Sequence, residues 1–298
     1  MAKSRSLSKM RKHTHPALIV FFIFFSFICL YPFWYVLVLS FNDATDAYRG
    51  GIYFWPRVWS LASYAKVFKN EYILNSFFIS FARCVLMMVL VPLFGSMYAY
   101  AITRRELFGR KFFRYFLVVP MYFGGGIIPF YILLKNLGLL DTFWVYIIPY
   151  CSGAGTVLLF RSYFQANSET LREAALIDGA NEFQVFFRIV FPTAIPVFAA
   201  QVLFVAVGQW NEWSIAQLFV SNPDLLPNAT LLMQIMNSVR SDIAGNMTLA
   251  EMMEGFSQVS VASMRYAMIV VSTVPILLIY PLLQKYFMHG IMIGAVKE

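Results

Sequence analysis

Long apolar stretches alternate with short polar segments along the chain, and six of the stretches approach the length of a membrane-spanning helix. Such a helix needs about 20 mostly apolar residues, because the hydrocarbon core is about 30 Å thick and a helix rises about 1.5 Å per residue. The third stretch is interrupted by Gly124–Gly126 and Pro129. The pattern predicts an all-α membrane protein with spans at about 17–41, 75–103, 112–134, 142–164, 193–219 and 266–287.

The composition supports a membrane protein over the soluble classes. Hydrophobic residues make up 60% of the 298 residues and charged residues only 13%, whereas soluble domains have about 45–50% and about 25%. The composition argues against a water-soluble enzyme, because 31 Phe and 17 Tyr could not all be buried in one soluble core. The three cysteines lie in apolar runs and the three histidines lie near the chain ends, so neither a disulfide framework nor a metal site is predicted.

The first apolar stretch resembles a signal peptide only in its basic flank. Lys and Arg residues precede it within residues 1–16. The stretch 17–41 is about twice as long as a typical signal-peptide core of about 7–15 residues, and no A-x-A cleavage site follows it. An uncleaved first span is therefore predicted.

The distribution of positive charge predicts the orientation. When the N-terminus is placed inside, most of the 23 Lys and Arg fall on the inner side, in residues 1–16, 104–114, 161–192 and the C-terminal end. Positive residues favour the cytoplasmic side. We therefore expect cytoplasmic tails at 1–16 and 288–298 around a multi-pass transmembrane domain at 17–287. This arrangement explains the net charge of +8 without nucleic acid.

Two long loops, 42–74 and 220–265, fall on the outer side. The second contains Pro223, Pro227 and a helix-like stretch at 229–239. A long, partly structured loop often contacts a partner. The length and position of this loop fit equally well a segment that only covers the outer end of the helix bundle.

The inner loop 165–192 predicts a helix, a bend and a second helix. Glu173–Leu176 are strong helix formers after a potential cap at Ser168, and Gly179 permits a sharp bend. A second short helix at about 182–190 would place Phe183, Phe186 and Phe187 on one side before Pro192 ends it. Such a hairpin could rest on lipid headgroups or dock a cytoplasmic partner.

The residues of this loop resemble the EAA motif of membrane subunits of ABC importers. Glu173-Ala174-Ala175, Gly179, Ile189 and Pro192 follow the motif's spacing, with Phe191 where the family usually has Leu. The resemblance covers nearly the whole chain and is greatest to carbohydrate permeases related to the smaller maltose-transporter membrane subunit, in the complex-oligosaccharide branch. Further segments that carry it are Gly50-Gly51-Ile52 with Pro56-Arg57, Gly124–Pro129, Val207–Trp213 and Met292–Val296.

The resemblance implies a fold, partners and a mechanism. It implies the type I ABC importer transmembrane fold, a second homologous permease, two ATPase subunits, an extracellular sugar-binding protein and an oligosaccharide substrate. ATP and Mg²⁺ would bind the ATPase, since this chain has no G-x-x-x-x-G-K-[ST] phosphate loop. No cofactor is expected in this chain, and because it has no ATPase motif it is expected to be the membrane subunit of an ATP-hydrolysing complex and not itself an enzyme. In such importers, closure of the ATPase on ATP binding opens the pore outward through the docked EAA helices. The resemblance assigns this coupling to eight residues, namely Glu173, Ala174, Ala175, Asp178, Gly179, Phe183, Ile189 and Pro192.

A buried charge is expected in the second span. Ionisable residues inside a membrane are costly and are therefore functional candidates. Arg83 shares a helix face with Ser76, Ser80 and Met87. It could bind sugar hydroxyls or carboxylates, or it could pair with Glu212 or with carbonyls at a helix end.

Polar side chains on the fifth span are the other candidates for the substrate pathway. Gln201, Val205, Gly208 and Glu212 lie on one stripe of a helix. Trp210 could stack on a sugar ring or anchor the helix at the membrane interface. The glycine run of the third span could border the pathway or permit close helix packing. The full candidate set is Arg83, Gln201, Gln209, Trp210, Asn211 and Glu212.

Other functional classes fit the sequence less well. A secondary transporter would need paired carboxylates or an inverted repeat. An intramembrane hydrolase would need a nucleophile with a base, or metal ligands, in the spans. A receptor or scaffold would not need the EAA loop. The remaining alternative is an ABC importer permease for a peptide or an ion.

Overall fold

The structure, a computed structural model, describes residues 16–167, 169–238 and 264–279. Several predicted features lie outside the described residues. These are most of the N-terminal tail, the C-terminal tail, the cap at Ser168, residues 239–263 of the outer loop and the last residues of the sixth span.

The chain forms two compact units, of which the first contains Met1–Phe68 and Val239–Val271. Helix α1 (Pro16–Ser40) contains no charged residue, and most of its side chains are exposed. After it come α2 (Ala44–Tyr48), an isolated bridge between Asn42 and Trp59, and α3 (Ala62–Lys69). Such an apolar, exposed helix is suited to a lipid environment.

The second unit contains Lys69–Ser238 and Ser272–Glu298 and is built around one long helix, α4. Asn70 caps the start of this helix by accepting a hydrogen bond from the N–H of Ile73 at 3.1 Å. Helices α7 and α11 both pack along α4. The helices of the unit are α4 (Glu71–Thr103), α5 (Arg110–Tyr122), α6 (Ile127–Asn136), α7 (Ala154–Asn167), α8 (Glu169–Ile177), α9 (Glu182–Val185), α10 (Phe191–Thr193), α11 (Ile195–Asn211), α12 (Ser214–Phe219) and α13 (Asn228–Ser238). A further helix, α14 (Met264–Ile279), belongs to this unit from Ser272 onward.

Three helical segments in the described part of the chain are long and apolar enough to cross a membrane. They are Leu18–Ser40, Glu71–Thr103 and Phe143–Gln165. A fourth crossing results if Glu182–Thr193 and Ile195–Asn211, bent by 78° at Ala194, act as one span. The prediction of a helical membrane protein is confirmed at this level.

Three of the predicted spans, the third, fourth and fifth, contain breaks or irregular turns. In the third, α5 ends at Tyr122 and α6 begins at Ile127, so the helix breaks at the glycine run as expected. The fourth starts with two 3-10 turns, Phe143–Tyr146 and Ile148–Tyr150, because Pro149 has no N–H to donate. The structure divides the fifth, which was predicted as continuous, between α11 and α12 at Glu212 and Trp213.

Two hydrophobic cores lie along α4, one on each half of the helix. In the first core, Ile79, Met87 and Val91 of α4 pack with the 3-10 turns at the start of the fourth span and with α12. The second gathers Ala99 and Tyr100 with α7, the hairpin after it and the start of α11. Each core supports one of the two candidate sites described below.

Candidate functional site

The hairpin between α8 and α9 turns at a glycine with left-handed backbone. Gly179 has a φ of +85°. Its N–H donates to the carbonyl of Leu176 at 3.1 Å, and the N–H of Ala180 donates to the carbonyl of Ala175 at 3.0 Å. These two bonds form a Schellman motif, a common helix ending that favours glycine. Gly179 therefore determines the direction in which the chain leaves α8.

The second arm of the hairpin begins with a reciprocal cap. Asn181 accepts a hydrogen bond from the N–H of Gln184 at 2.9 Å, and the Gln184 side chain accepts one from the N–H of Asn181 at 2.9 Å. This capping box satisfies two donors that a helix start leaves free. The sequence analysis missed it, although an Asn followed three residues later by Gln signals such a cap.

Replacing Gly179 with alanine is expected to misdirect the hairpin. A side chain at φ near +85° costs about 1–2 kcal/mol, although nothing lies within 4 Å of the position that a Cβ would take. We expect reduced co-purification of the ATPase that the sequence resemblance implies as a partner, with a smaller loss for Gly179→Asn, because Asn tolerates left-handed backbone better. Equal ATPase recovery with Gly179→Ala and wild type, measured by pull-down at matched expression, would contradict this role.

The residues predicted for coupling occupy mainly the outer surface of the hairpin. Phe183 is 68% exposed, and the Ala175 side chain is turned into the core. Phe186 is buried, so the three phenylalanines of the second arm do not share one face as predicted. Phe186 instead packs into the core against Tyr100, and the chain from Phe186 to Val190 is wound as a π-helix. The predicted residues that are exposed are Glu173, Ala174, Asp178, Gly179, Phe183 and Pro192, while Ile189 is half-buried.

An ion pair between the buried Arg172 and the exposed Glu182 holds the two arms of the hairpin together. The Arg172 side chain is 8% exposed, and its Nε donates to Oε1 of Glu182 at 3.0 Å. A second carboxylate, Glu106, lies 3.4 Å from Nη1 of Arg172. Burial alone would raise the pKa of Glu182, but hydrogen bonds from Arg172 and Tyr100 and the positive charge of Arg172 lower it below its usual value. The sequence analysis did not identify this pair.

The same carboxylate ties the hairpin to the end of α4. The hydroxyl of Tyr100 donates to Oε2 of Glu182 at 2.5 Å, and the guanidinium of Arg104 lies 4.1 Å from the centre of the Tyr100 ring. The Tyr100 ring also packs against Phe186, with 5.3 Å between ring centroids. A cavity of about 390 Å³ opens beside these groups. The hairpin is thus anchored to α4 as well as to α11.

The second candidate site surrounds Arg83, which is fully buried on α4. Its Nη2 donates to the backbone carbonyls of Gln209 and, at 2.8 Å, of Glu212. The guanidinium also lies 5.1 Å from the centre of the Tyr146 ring. Its Nε and Nη1 have no hydrogen-bond partner among the described residues. A cation at these carbonyls stabilises the C-terminal end of α11, where a helix leaves acceptors unpaired.

The carboxylate of Glu212 forms hydrogen bonds with residues that follow it closely in the chain. It accepts hydrogen bonds from the N–H of Ser214 at 2.7 Å, from the Ser214 hydroxyl at 2.6 Å and from the N–H of Ile215 at 3.1 Å. It therefore caps α12 and stabilises the break between α11 and α12. Of the two pairings considered for Arg83, the hydrogen bonds observed are those to helix-end carbonyls.

The remaining candidates of the fifth span do not converge on one point. Gln201 is buried and donates to the hydroxyl of Thr156 at 2.8 Å. Asn211 is exposed and donates to the carbonyl of Val207 in its own helix at 2.8 Å. Trp210 donates to the carbonyl of Ser272 at 2.9 Å. Gln209 is half-buried, and its Oε1 has no partner among the described residues.

The outer segment after α12 is attached to α4 by hydrogen bonds that the sequence did not reveal. The N–H of Asn228 donates to the hydroxyl of Ser80 at 2.8 Å, and its side-chain oxygen accepts from Ser272 at 3.1 Å. The hydroxyl of Thr230 donates to the carbonyl of Trp213 at 2.9 Å. Helix α13, predicted at 229–239, therefore packs into the second unit.

Comparison with known proteins agrees with this architecture. Residues 6–291 match the family described as binding-protein-dependent transport system inner membrane component. The chain is 35% identical to the polygalacturonan/rhamnogalacturonan transport system permease protein YtcP of Bacillus subtilis, over 93% of this chain and 96% of that protein. It is 33% identical to the protein LplC of the same organism, over 91% and 90% of the two chains.

A solved structure has the same fold. It is a bacterial ABC transporter involved in the import of the acidic polysaccharide alginate, with a TM-score of 0.80 and 26% identity, over 96% of this chain and 99% of that one. The family match covers far more than half of the chain. The protein belongs to the family of inner membrane components of binding-protein-dependent transport systems, the permease subunits of ABC importers.

Proposed function

We propose that the chain is a pore-forming permease subunit of an ATP-driven ABC importer for oligosaccharides. It crosses the bacterial plasma membrane six times with both termini in the cytoplasm. It pairs with a second homologous permease and with two ATPase subunits, which bind ATP and Mg²⁺. An extracellular sugar-binding protein delivers the substrate.

The anchored hairpin is the observation that carries this proposal. Its outer surface presents Glu173, Asp178 and Phe183, whereas its inner surface is fixed to α4 through Glu182 and Tyr100. An exposed face on a firmly held support is suited to transmit the movement of a docked partner. Closure of the ATPase would then move α4 and α11 together and open the passage outward.

Support for a carbohydrate substrate comes from the relatives. Two of them are named for polygalacturonan/rhamnogalacturonan and for arabinooligosaccharides, and the solved transporter imports alginate. A peptide or ion importer of the same class is the alternative, and a secondary transporter is a more distant one. Arg83, Gln201, Gln209, Trp210, Asn211 and Glu212 remain the proposed groups along the pathway.

The isolated chain is expected to show no ATP hydrolysis, because it has no phosphate-binding loop. Uptake of labelled oligosaccharide into proteoliposomes should require the second permease, the ATPase and the binding protein together. Robust hydrolysis by the purified chain alone would refute the assignment. Uptake of a peptide, with no uptake of any oligosaccharide tested, would establish the alternative substrate class.

A further inference from the structure

The break between α5 and α6 exposes polar backbone in the middle of a predicted span. Helix α5 ends at Tyr122 and α6 begins at Ile127, with no helical turn between them. Arg114 and Lys135 flank the break, each nine residues from its nearer edge. At about 1.5 Å per residue, about 13 Å of helix separates either charge from the break. The break therefore lies deep in the hydrocarbon region of a core about 30 Å thick.

The backbone groups of this break are not satisfied within the described chain. The last hydrogen bond of α5 runs from the N–H of Phe123 to the carbonyl of Val119, at 3.0 Å. The N–H groups of Gly124, Gly125 and Gly126 find no acceptor among the described residues, and the carbonyls of Phe123 and Gly124 find no donor there. Both donors and acceptors are thus left without partners.

The break is also open to its surroundings. Tyr122 and Phe123 are each 78% exposed. A Cβ added at Gly124 or at Gly126 would meet no atom within 4 Å. No part of the described chain covers these backbone groups.

Lipid is unsuited to cover such a segment. Each unsatisfied backbone group in hydrocarbon costs several kcal/mol, so irregular backbone at membrane depth occurs where it is buried in protein or borders a water-filled cavity. The first part of α1, before the helix reaches Pro32, provides the contrast, because a regular helix of apolar residues satisfies its own backbone. Two environments remain for the break, namely water and the second permease.

We infer that the segment Phe123–Gly126 borders the water-filled passage through which the substrate crosses the membrane. The inference rests on the proposed function, since it takes 112–134 as a membrane span. Glycine without a side chain leaves room for a bulky solute, and water satisfies backbone donors and acceptors of both kinds. The aromatic rings of Tyr122 and Phe123 stand at the same edge, where they present flat apolar faces to the passage.

Cysteine labelling in the assembled transporter tests this inference. Cys29, Cys84 and Cys151 are first replaced by alanine, and Phe123→Cys and Gly124→Cys are then introduced singly. Phe24→Cys is the matched control, because Phe24 is an equally apolar residue, 62% exposed, within the first part of α1. A charged, membrane-impermeant thiol reagent reacts with the thiolate, which forms in water and is suppressed in an apolar surrounding.

We expect both Phe123→Cys and Gly124→Cys to react at least about tenfold faster than Phe24→Cys in intact complexes, with equal reaction of all three after denaturation. Slow reaction at both break positions would overturn the inference and would mean that lipid or the second permease covers them. Fast reaction at all three positions would overturn it too, because the contrast with α1 would be lost. The labelling requires no sugar, so failure of oligosaccharide uptake in the same complexes would count against the proposed substrate and not against the water-exposed break.

Discussion

Replacing Arg83 with methionine is expected to destabilise the transporter by about 3 kcal/mol. The substitution leaves the carbonyls of Gln209 and Glu212 without their charged donor at a buried position, and each hydrogen bond to a charged group contributes about 1.5–3 kcal/mol. Methionine roughly conserves the volume of the arginine stem, so packing changes little. The melting temperature of the purified complex and its rate of oligosaccharide uptake should both fall.

Arg83→Lys provides the control for charge. Lysine keeps the positive charge but lacks the planar fork of the guanidinium, so we expect an intermediate loss of stability. If Arg83 instead acts only on the substrate, Arg83→Met would leave the melting temperature unchanged and would raise the KM for uptake. The two measurements together therefore separate a residue that positions the α11–α12 break from one that binds sugar.

Reversing the charge of Arg172 is expected to uncouple the hairpin from the rest of the chain. Arg172→Glu would place two carboxylates together where Arg172 now donates to Glu182. Glu182 is 45% exposed, so solvent screens the pair and a loss of about 1–2 kcal/mol is expected. Sugar-stimulated ATP hydrolysis and uptake should fall much more than insertion into the membrane, because the hairpin is predicted to lie outside the spans.

The double variant with Arg172→Glu and Glu182→Arg is the matched control. It restores opposite charges at the two positions, and we expect partial recovery of uptake. Equal impairment of the single and double variants would contradict a role for the ion pair.

The ion pair also makes the stability of the hairpin depend on pH. Because the contacts lower the pKa of Glu182, the stabilisation is complete above the ordinary carboxyl pKa of about 4.3 and is lost as the pH falls below it.

Features that depend on neighbouring residues were predictable from the sequence. The apolar runs indicated membrane helices, the glycine run indicated a break in the third span, and Gly179 indicated a bend between two short helices. Each of these follows from local physics, either the length of apolar segments or the backbone freedom of glycine. The resemblance to ABC importer permeases, confirmed by the comparisons, rested on motif spacing of the same local kind.

The partners of the buried charges were decided only by the tertiary structure. Tyr100 and Glu182 are 82 residues apart in sequence, and Arg83 lies 126 and 129 residues from the carbonyls that it binds. No periodicity of a helix relates positions so distant, and backbone carbonyls have no signature in the sequence. The sequence alone determined that Arg83 would be buried in an apolar helix. Its role at the end of α11 depended on where that helix broke, which the packing of α4, α11 and α12 determined together.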